Sequence, residues 1–327
     1  MLVRDFTDGQ QIDQAFVVRA AELRQKKDGG RFLRLVLGDR TGAFTVNLWD
    51  DVETHLEVCA AGAVVHARGV FELHPKWGAQ ARCRLSPAEP GSYDEADLRD
   101  GPPRSAAAME SDLRELVATV RQPHLRRLLD LLLGEGSATW VRFREAPAAK
   151  HFHQAYRHGL LEHALTVAQS VSAISATFPG IDRDVAVTGA LLHDIGKLEA
   201  YGEQGEVIDL TDAGRLQGEI PLGYYQVRRA IEDLPGFPAS LAQAVLHIIL
   251  SHHGTLEHGS PIVPATREAT LVHMIDNLGG RLGSFDRLEK ELAPGASWST
   301  FDRAIGGGAY FGAASPPAED DARPAAA

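Results

Sequence analysis

GALLHDIGKLEAY, residues 189–201, sets an adjacent His193-Asp194 pair at the end of an apolar run, directly ahead of Ile195-Gly196-Lys197. Neighbouring residues on an α-helix diverge by about 100°, so a His-Asp pair serves two adjacent cations more readily than one helix face. Burying such a pair is costly unless its polar atoms are satisfied, and metal binding satisfies both side chains. The segment therefore predicts a core helix that ends in a left-handed cap at Gly196 and delivers ligands to a pocket. ILSHHG, residues 249–254, has the same layout, with His252-His253 ahead of Gly254.

Outward from these two motifs, further ligand-type residues stand at His163, Glu219 and Asp276. Imidazole mixed with carboxylate, without thiolate, suits Mn, Fe, Co, Zn or Mg better than a structural zinc cage, and an Asp bridging two cations is the natural use of Asp194. The context agrees, since 10 of the 14 histidines fall between residues 151 and 273. Not all of them are ligand candidates. His247, inside the apolar run AVLHIIL, reads as a hydrogen-bonded core residue. His273, one turn before Asp276, reads either as packing or as support for a ligand.

Apolar spacing predicts helices from Met109 onward, with further segments at 160–178, 183–195, 221–233, 239–251 and 266–282. Before them, short runs rich in β-branched and aromatic residues at 14–19, 31–38, 44–49, 64–73 and 81–85 are split by turn signals such as Asp39-Arg40-Thr41-Gly42. Five strands at this spacing, the third ending in Leu48-Trp49-Asp50, suggest a small Greek-key barrel of the OB type. The expected fold is a multi-domain α and β chain: a five-stranded OB-fold barrel over 1–88, a linker rich in Pro, Gly, Asp and Ser over 89–108, an all-α helical bundle over 109–312, and a disordered tail over 313–327.

The 327 residues carry a formal charge of -11, but residues 1–90 balance 12 Lys+Arg against 12 Asp+Glu, so the acidity lies downstream of the barrel. Residues 1–10 lack an apolar core and no stretch approaches the roughly 18 apolar residues of a membrane span, so a cytoplasmic chain with no membrane partner is expected. Two cysteines, Cys59 and Cys83, are too few for a disulfide scaffold.

PAAKHFHQAYRHGLLEHALTVA (147–168), the HD segment, LSHHG (250–254), and SPIVPATREATLVHMIDNLGGRL (260–282), downstream of a barrel, together resemble the HD-domain metal-dependent phosphohydrolase superfamily, and within it the YhaM-type 3'-5' exoribonucleases, over roughly residues 15–310. The resemblance implies that His163, His193, Asp194 and Asp276 hold a first metal, that Asp194 bridges to a second completed by His252 and His253, and that Lys197 neutralises a substrate phosphate or the leaving oxygen. Asp194, Lys197 and His252 are then the residues expected to act in catalysis. One position departs from the pattern: Gly218-Glu219-Ile220 stands where the family usually has Gly-His-Ile, so a carboxylate replaces an imidazole at the second metal and shifts preference towards harder ions. The expected cofactor is one or two divalent cations, Mn first, with Mg, Co, Fe or Zn as alternatives.

The implied activity is hydrolysis of single-stranded RNA from the 3' end, with single-stranded DNA as a possible substrate. Lys26, Lys27 and Arg31 around the first hairpin and Trp77 in a turn are the candidate contacts to nucleic acid, while His153 and His158 are candidates to line the pocket. Two other readings compete: a phosphohydrolase of free or cyclic nucleotides, and a nucleic-acid-binding protein whose HD site is degenerate at Glu219. Neither the oligomeric state nor protein partners follow from the sequence, although a homo-oligomer is compatible with it.

Overall fold

A computed structural model describes residues 1–26, 29–74, 78–98, 101–150, 154–204, 207–290, 292 and 296–312. Lys27, Trp77, His153 and the 313–327 tail lie outside the described residues.

The N-terminal strands are β1 (Gln11–Gln25), β2 (Arg31–Asp39), β3 (Gly42–Leu48), β4 (Val64–His74) and β5 (Gly78–Pro87), with the helix α1 (Val52–Val58) between β3 and β4. They close into a barrel in the order β1-β2-β3-β5-β4, with β4 returning to β1. Closure rests on the short parallel pairing of Thr45 with Gln80 and Val46 with Ala81. Period-two alternation turns Phe16, Val18, Leu33, Leu35, Leu37, Phe44, Val46, Val65, Ala67 and Phe71 inward, where they form one buried cluster. β1 is longer than its apolar run because it pairs with β4 and then with β2, and a register shift between Val18 and Ala20 lets it bend from one partner to the other.

The Asp39 to Gly42 turn is held from inside. The buried Asp39 carboxylate accepts from the backbone N–H groups of Val3 (2.6 Å), Thr41 (2.7 Å) and Gly42 (3.2 Å). β4 and β5 approach closely at Gly69, where a Cβ would lie 2.0 Å from the Arg82 carbonyl oxygen.

Residues 89–108, read above as a linker, contain structure. The short helix α2 (Glu95–Leu98) buries Leu98, and Asp97 pairs with Arg40 at 3.2 Å. Helix α3 (Ala106–Ala118) starts ahead of Met109 because the Ser105 hydroxyl caps it, accepting from Ala108 N–H at 3.2 Å.

The remaining helices are α4 (Pro123–Leu133), α5 (Ala138–Glu145), α6 (Gly159–Ser175), α7 (Arg183–Leu192), α8 (Lys197–Ala200), α9 (Asp212–Gln217), α10 (Glu219–Glu232), α11 (Ala239–Ser251) and α12 (Arg267–Lys290). Their core is separate from that of the barrel and centres on α7, which is buried from Val185 to Leu192 and packs against α6, α11 and α12. One element falls outside the all-helical expectation for this half. β6 (Tyr201–Gln204) and β7 (Val207–Leu210) form an antiparallel hairpin; these two runs are too short to present an amphipathic helical stripe.

α12 runs past its expected end, through Gly279 and Gly280, since its apolar spacing continues to Leu288. The C-terminal described segment folds back on it through an Arg287–Asp302 ion pair at 2.6 Å and a Phe285–Phe311 contact. Among the described residues, no helix is long and apolar enough to cross a membrane.

Candidate metal centre

Four helix segments converge on one buried site. His163 comes from the first turns of α6, His193 and Asp194 from the end of α7, His252 and His253 from the end of α11, and Asp276 from α12. His163 Nε2 lies 3.1 Å from His193 Nε2, 3.2 Å from Asp194 Oδ2 and 3.1 Å from Asp276 Oδ1. The other Asp194 oxygen, Oδ1, faces His252 Nε2 at 3.5 Å. The two oxygens of one carboxylate thus address two different sets of imidazoles. Glu219, at the first turn of α10, stands 3.7 Å from His253 Nε2, and both are partly exposed at the rim. The tight groups among the described residues are His163, His193 and Asp276, and His193, Asp194 and His252.

The protonation pattern is set by backbone oxygens. His193 Nδ1 donates to the Ala190 carbonyl (2.7 Å), His252 Nδ1 to Ile249 (2.8 Å) and His253 Nδ1 to His258 (2.8 Å). His163 Nδ1 donates to the Gln154 side-chain oxygen at 3.1 Å. Each ring is fixed in orientation, with its Nε2 turned into the site.

These residues fit a cation for a specific reason. His252 Nε2 and Asp194 Oδ1 are buried acceptors that face each other, and neither has a hydrogen-bond partner among the described residues. His163 Nε2 and His193 Nε2 meet nitrogen to nitrogen at 3.1 Å, a contact that needs a proton or a cation between them. Acceptors opposed in this way are costly when buried unless positive charge lies between them. Burial works against a charged His163, yet hydrogen bonding to Asp194 and Asp276 outweighs it, and the imidazole is pushed up to about 9. Burial also opposes the Asp194 carboxylate, but the Lys197 ammonium and the neighbouring histidines hold it well below the usual range. Asp276 is lowered in the same way by His163, against its own burial.

Lys197 does not project freely into the site: its Nζ donates to Asp194 Oδ2 at 2.7 Å, and burial is outweighed by that carboxylate, so its pKa is raised.

Glycines let these side chains meet. Gly254 ends α11 with φ +84, as a left-handed cap requires, and a Cβ there would strike the His273 ring at 2.0 Å. Gly196 corrects the sequence expectation. Its φ is -66, a right-handed conformation, so it is not a left-handed cap. It is needed because a Cβ would lie 2.0 Å from the Glu219 carbonyl oxygen, where the start of α10 presses on the HD turn.

The other sequence candidates take these places. His273 Nδ1 donates to the His252 carbonyl at 2.7 Å and so ties α12 to the His-His turn. His247 Nε2 accepts from Ala265 N–H at 2.8 Å, a structural tie. His158, in a left-handed conformation ahead of α6, donates its Nδ1 to the Arg144 carbonyl at 2.6 Å. In the barrel, Arg31 pairs with Glu53 at 2.9 Å, and Lys26 lies 5.3 Å from the centroid of the Trp49 ring.

Gln154 is a functional candidate that sequence reasoning missed. It is buried, held at φ 62, and links His163 to Glu162, a carboxyl that is raised by burial. The only sequence signal is its place nine residues ahead of His163. Gln154→Ala frees the His163 ring to turn and, if the cluster holds a divalent cation, is expected to weaken its binding by roughly 10- to 100-fold, the usual effect of losing a partner behind a ligand. A Mn titration monitored by calorimetry checks this, and an unchanged affinity rules out the orienting role.

The comparisons with known proteins agree with this geometry. The HD domain profile matches residues 160–280, the interval that carries His163, His193, Asp194, His252, His253 and Asp276. The 3'-5' exoribonuclease YhaM of Bacillus velezensis is 30% identical over 292 residues, covering 88% of this chain and 90% of the relative. The chain belongs to the YhaM family. Other YhaM relatives are similar along the same length: that of Bacillus subtilis is 28% identical, with 88% of this chain and 90% of the relative covered. The YhaM of Shouchella clausii is 28% identical over 302 residues, covering 90% of this chain and 91% of the relative. Alignment with YhaM proteins thus extends over barrel and helical region alike, not over the HD interval alone.

Proposed function

We propose that this chain is a divalent-metal-dependent 3'-5' exoribonuclease that shortens single-stranded RNA and releases mononucleotides. The observation that carries the reading is the set of His163, His193 and His252 rings, locked by their Nδ1 hydrogen bonds with Nε2 turned towards the buried Asp194 and the partly buried Asp276 carboxylates. Divalent cations bound there stabilise charge on a phosphate and make water a nucleophile at neutral pH. His163, His193, Asp194 and Asp276 are the ligands of the first cation in this reading. Asp194, His252 and His253 serve the second, with Glu219 at its rim. Manganese is the proposed metal, since the donors are nitrogen and oxygen with no thiolate.

The chain's own groups divide the remaining work. Asp194 holds its two oxygens apart towards the two imidazole sets, and Lys197 keeps positive charge beside it to meet a phosphate oxygen. Hydrolysis puts the oxygen of water on phosphorus and a proton on the departing 3' oxygen, so a nucleoside 5'-monophosphate leaves. The surrounding helices exclude bulk water, which strengthens every charge interaction inside.

Residues 1–88 form the RNA-binding unit in this proposal, and 109–312 the catalytic one. Trp49 stacks on Phe32 at 4.5 Å between centroids, is 52% exposed, and lies beneath Lys26. An exposed indole backed by a second ring, with a cation beside it, is the kind of platform on which bases stack, at about 1 to 3 kcal/mol per base. Trp49→Ala is therefore expected to weaken RNA binding by roughly 5- to 150-fold with little change in kcat. Fluorescence anisotropy with a labelled oligonucleotide measures it, and an unaltered Kd removes Trp49 from the binding face. The free cysteines Cys59 and Cys83 suit a reducing cytoplasm, the proposed location.

Purified protein, Mn and 5'-labelled RNA test the whole reading. A descending ladder of labelled products is expected, whereas a 3' label should appear at once as mononucleotide. Intact RNA alongside hydrolysis of free or cyclic nucleotides would move the substrate to small molecules. Binding without turnover on either would make the chain a nucleic-acid-binding protein, and cleavage of DNA at a similar rate would broaden the substrate.

A further inference from the structure

α12 presents two apolar stripes. Ala269, Val272 and Ile275 face the core of the helical region. A second stripe, Leu271, Met274, Leu278, Leu282 and Phe285, runs about a third of a turn away. Met274, Leu278 and Leu282 are 58%, 49% and 56% exposed, so among the described residues nothing covers the middle of this seam, while Leu271 against the core and Phe285 against Phe311 are partly buried at its flanks. Arg267 and Glu289, both exposed, lie at its two ends.

The order of residues says what does cover it. Reversed about Leu278, the seam maps onto itself: Met274 falls on Leu282, Leu271 on Phe285, and Arg267 on Glu289. Two identical α12 helices crossing antiparallel at Leu278 thus set apolar against apolar along about 33 Å of helix, with opposite charges meeting at both ends. A two-fold interface demands this self-complementarity; the apolar spacing alone is that of any helix stripe, and the pairing of Arg267 with Glu289 at both ends is what favours a second copy. Shape agrees with sequence. Beside the N-terminal half of the helix lies a groove of about 690 Å³ lined by Phe178, Ile181, Pro264, Thr270, Leu271 and Met274. In the antiparallel arrangement this groove faces Leu282 and Phe285 of the second copy.

We propose that the chain forms a homodimer through an isologous, antiparallel α12 to α12 interface centred on Leu278. The evidence for it is independent of the metal site, so it stands or falls apart from the exoribonuclease reading.

Light scattering and analytical ultracentrifugation of the full chain should give twice the monomer mass at micromolar concentration. Leu278→Asp places two carboxylates face to face on the axis and should yield a monomer whose circular dichroism is unchanged. Arg267→Glu and Glu289→Arg should each weaken the dimer severalfold, and the double reversal should restore it, which no loss of folding would imitate. Leu278→Cys should cross-link to its own copy on mild oxidation, whereas Val141→Cys, 59% exposed on α5, should not. A monomeric native chain, a dimer indifferent to Leu278→Asp, a double reversal that fails to recover, or a Leu278→Cys chain that stays uncrosslinked overturns the proposal.

Discussion

Asp194→Asn is expected to lower RNA hydrolysis by on the order of 10³-fold or more, as happens when one member of a group of residues acting together is lost. The substitution keeps the size of the side chain while removing its charge, so packing around α7 should survive. What goes is, among the described residues, the one carboxylate whose two oxygens face both imidazole sets, Oδ2 towards His163 and His193, and Oδ1 towards His252. Lys197, which donates to Oδ2, also loses its anionic partner. The proposed binding of RNA through the barrel should persist, because Phe32, Trp49 and Lys26 lie on the barrel, whose core is separate from that around α7. Single-turnover cleavage and anisotropy on the same preparation separate the two effects. Near-native cleavage by the variant would remove Asp194 from the reaction.

Chelation is expected to abolish activity and also to lower the melting temperature of the helical region selectively. The argument is linkage. At a free metal concentration of about 100 times Kd, a cation that binds only the folded state stabilises it by about 2.7 kcal/mol. For a unit of roughly 200 residues, where 1 kcal/mol shifts Tm by about 2–4 °C, that corresponds to some 5–10 °C. The barrel has its own core and none of the proposed ligands, so its transition should not move. Calorimetry before and after chelation, followed by Mn, Mg or Zn readdition, measures the shift and ranks the metals. A single transition insensitive to all of them would separate the His-Asp cluster from cation binding.

The parts of this architecture that sequence made legible are those in which residue type alone constrains the environment. Alternation of apolar residues located all five strands, because period two has one physical cause in a barrel with a filled interior. His193-Asp194 and His252-His253 stood out because polar pairs at the ends of apolar helices need partners. Gln154 carried no such signal: a glutamine near a histidine is ordinary, and its role depends on a left-handed turn that aims it at the His163 ring.

Gly196 shows the limit from another side. Sequence marks a glycine but does not say whether conformation or contact requires it, and here it is the approach of α10. Trp49 was hidden by the same kind of ambiguity. Only the strand's end after Leu48 turns the indole outward to stack on Phe32. α12 tolerated Gly279 and Gly280, each costing about 1 kcal/mol in a helix interior, because the apolar repeat on both sides of them holds the helix together.

The central claim is that side chains from α6, α7, α11 and α12 bind divalent cations at one place. Elemental analysis of the full chain after equilibration with excess Mn and gel filtration tests it most directly. One or two Mn per chain is expected in the native protein, with clear loss in Asp194→Asn. A native chain that emerges free of metal, or a variant that retains as much as the native, would contradict it.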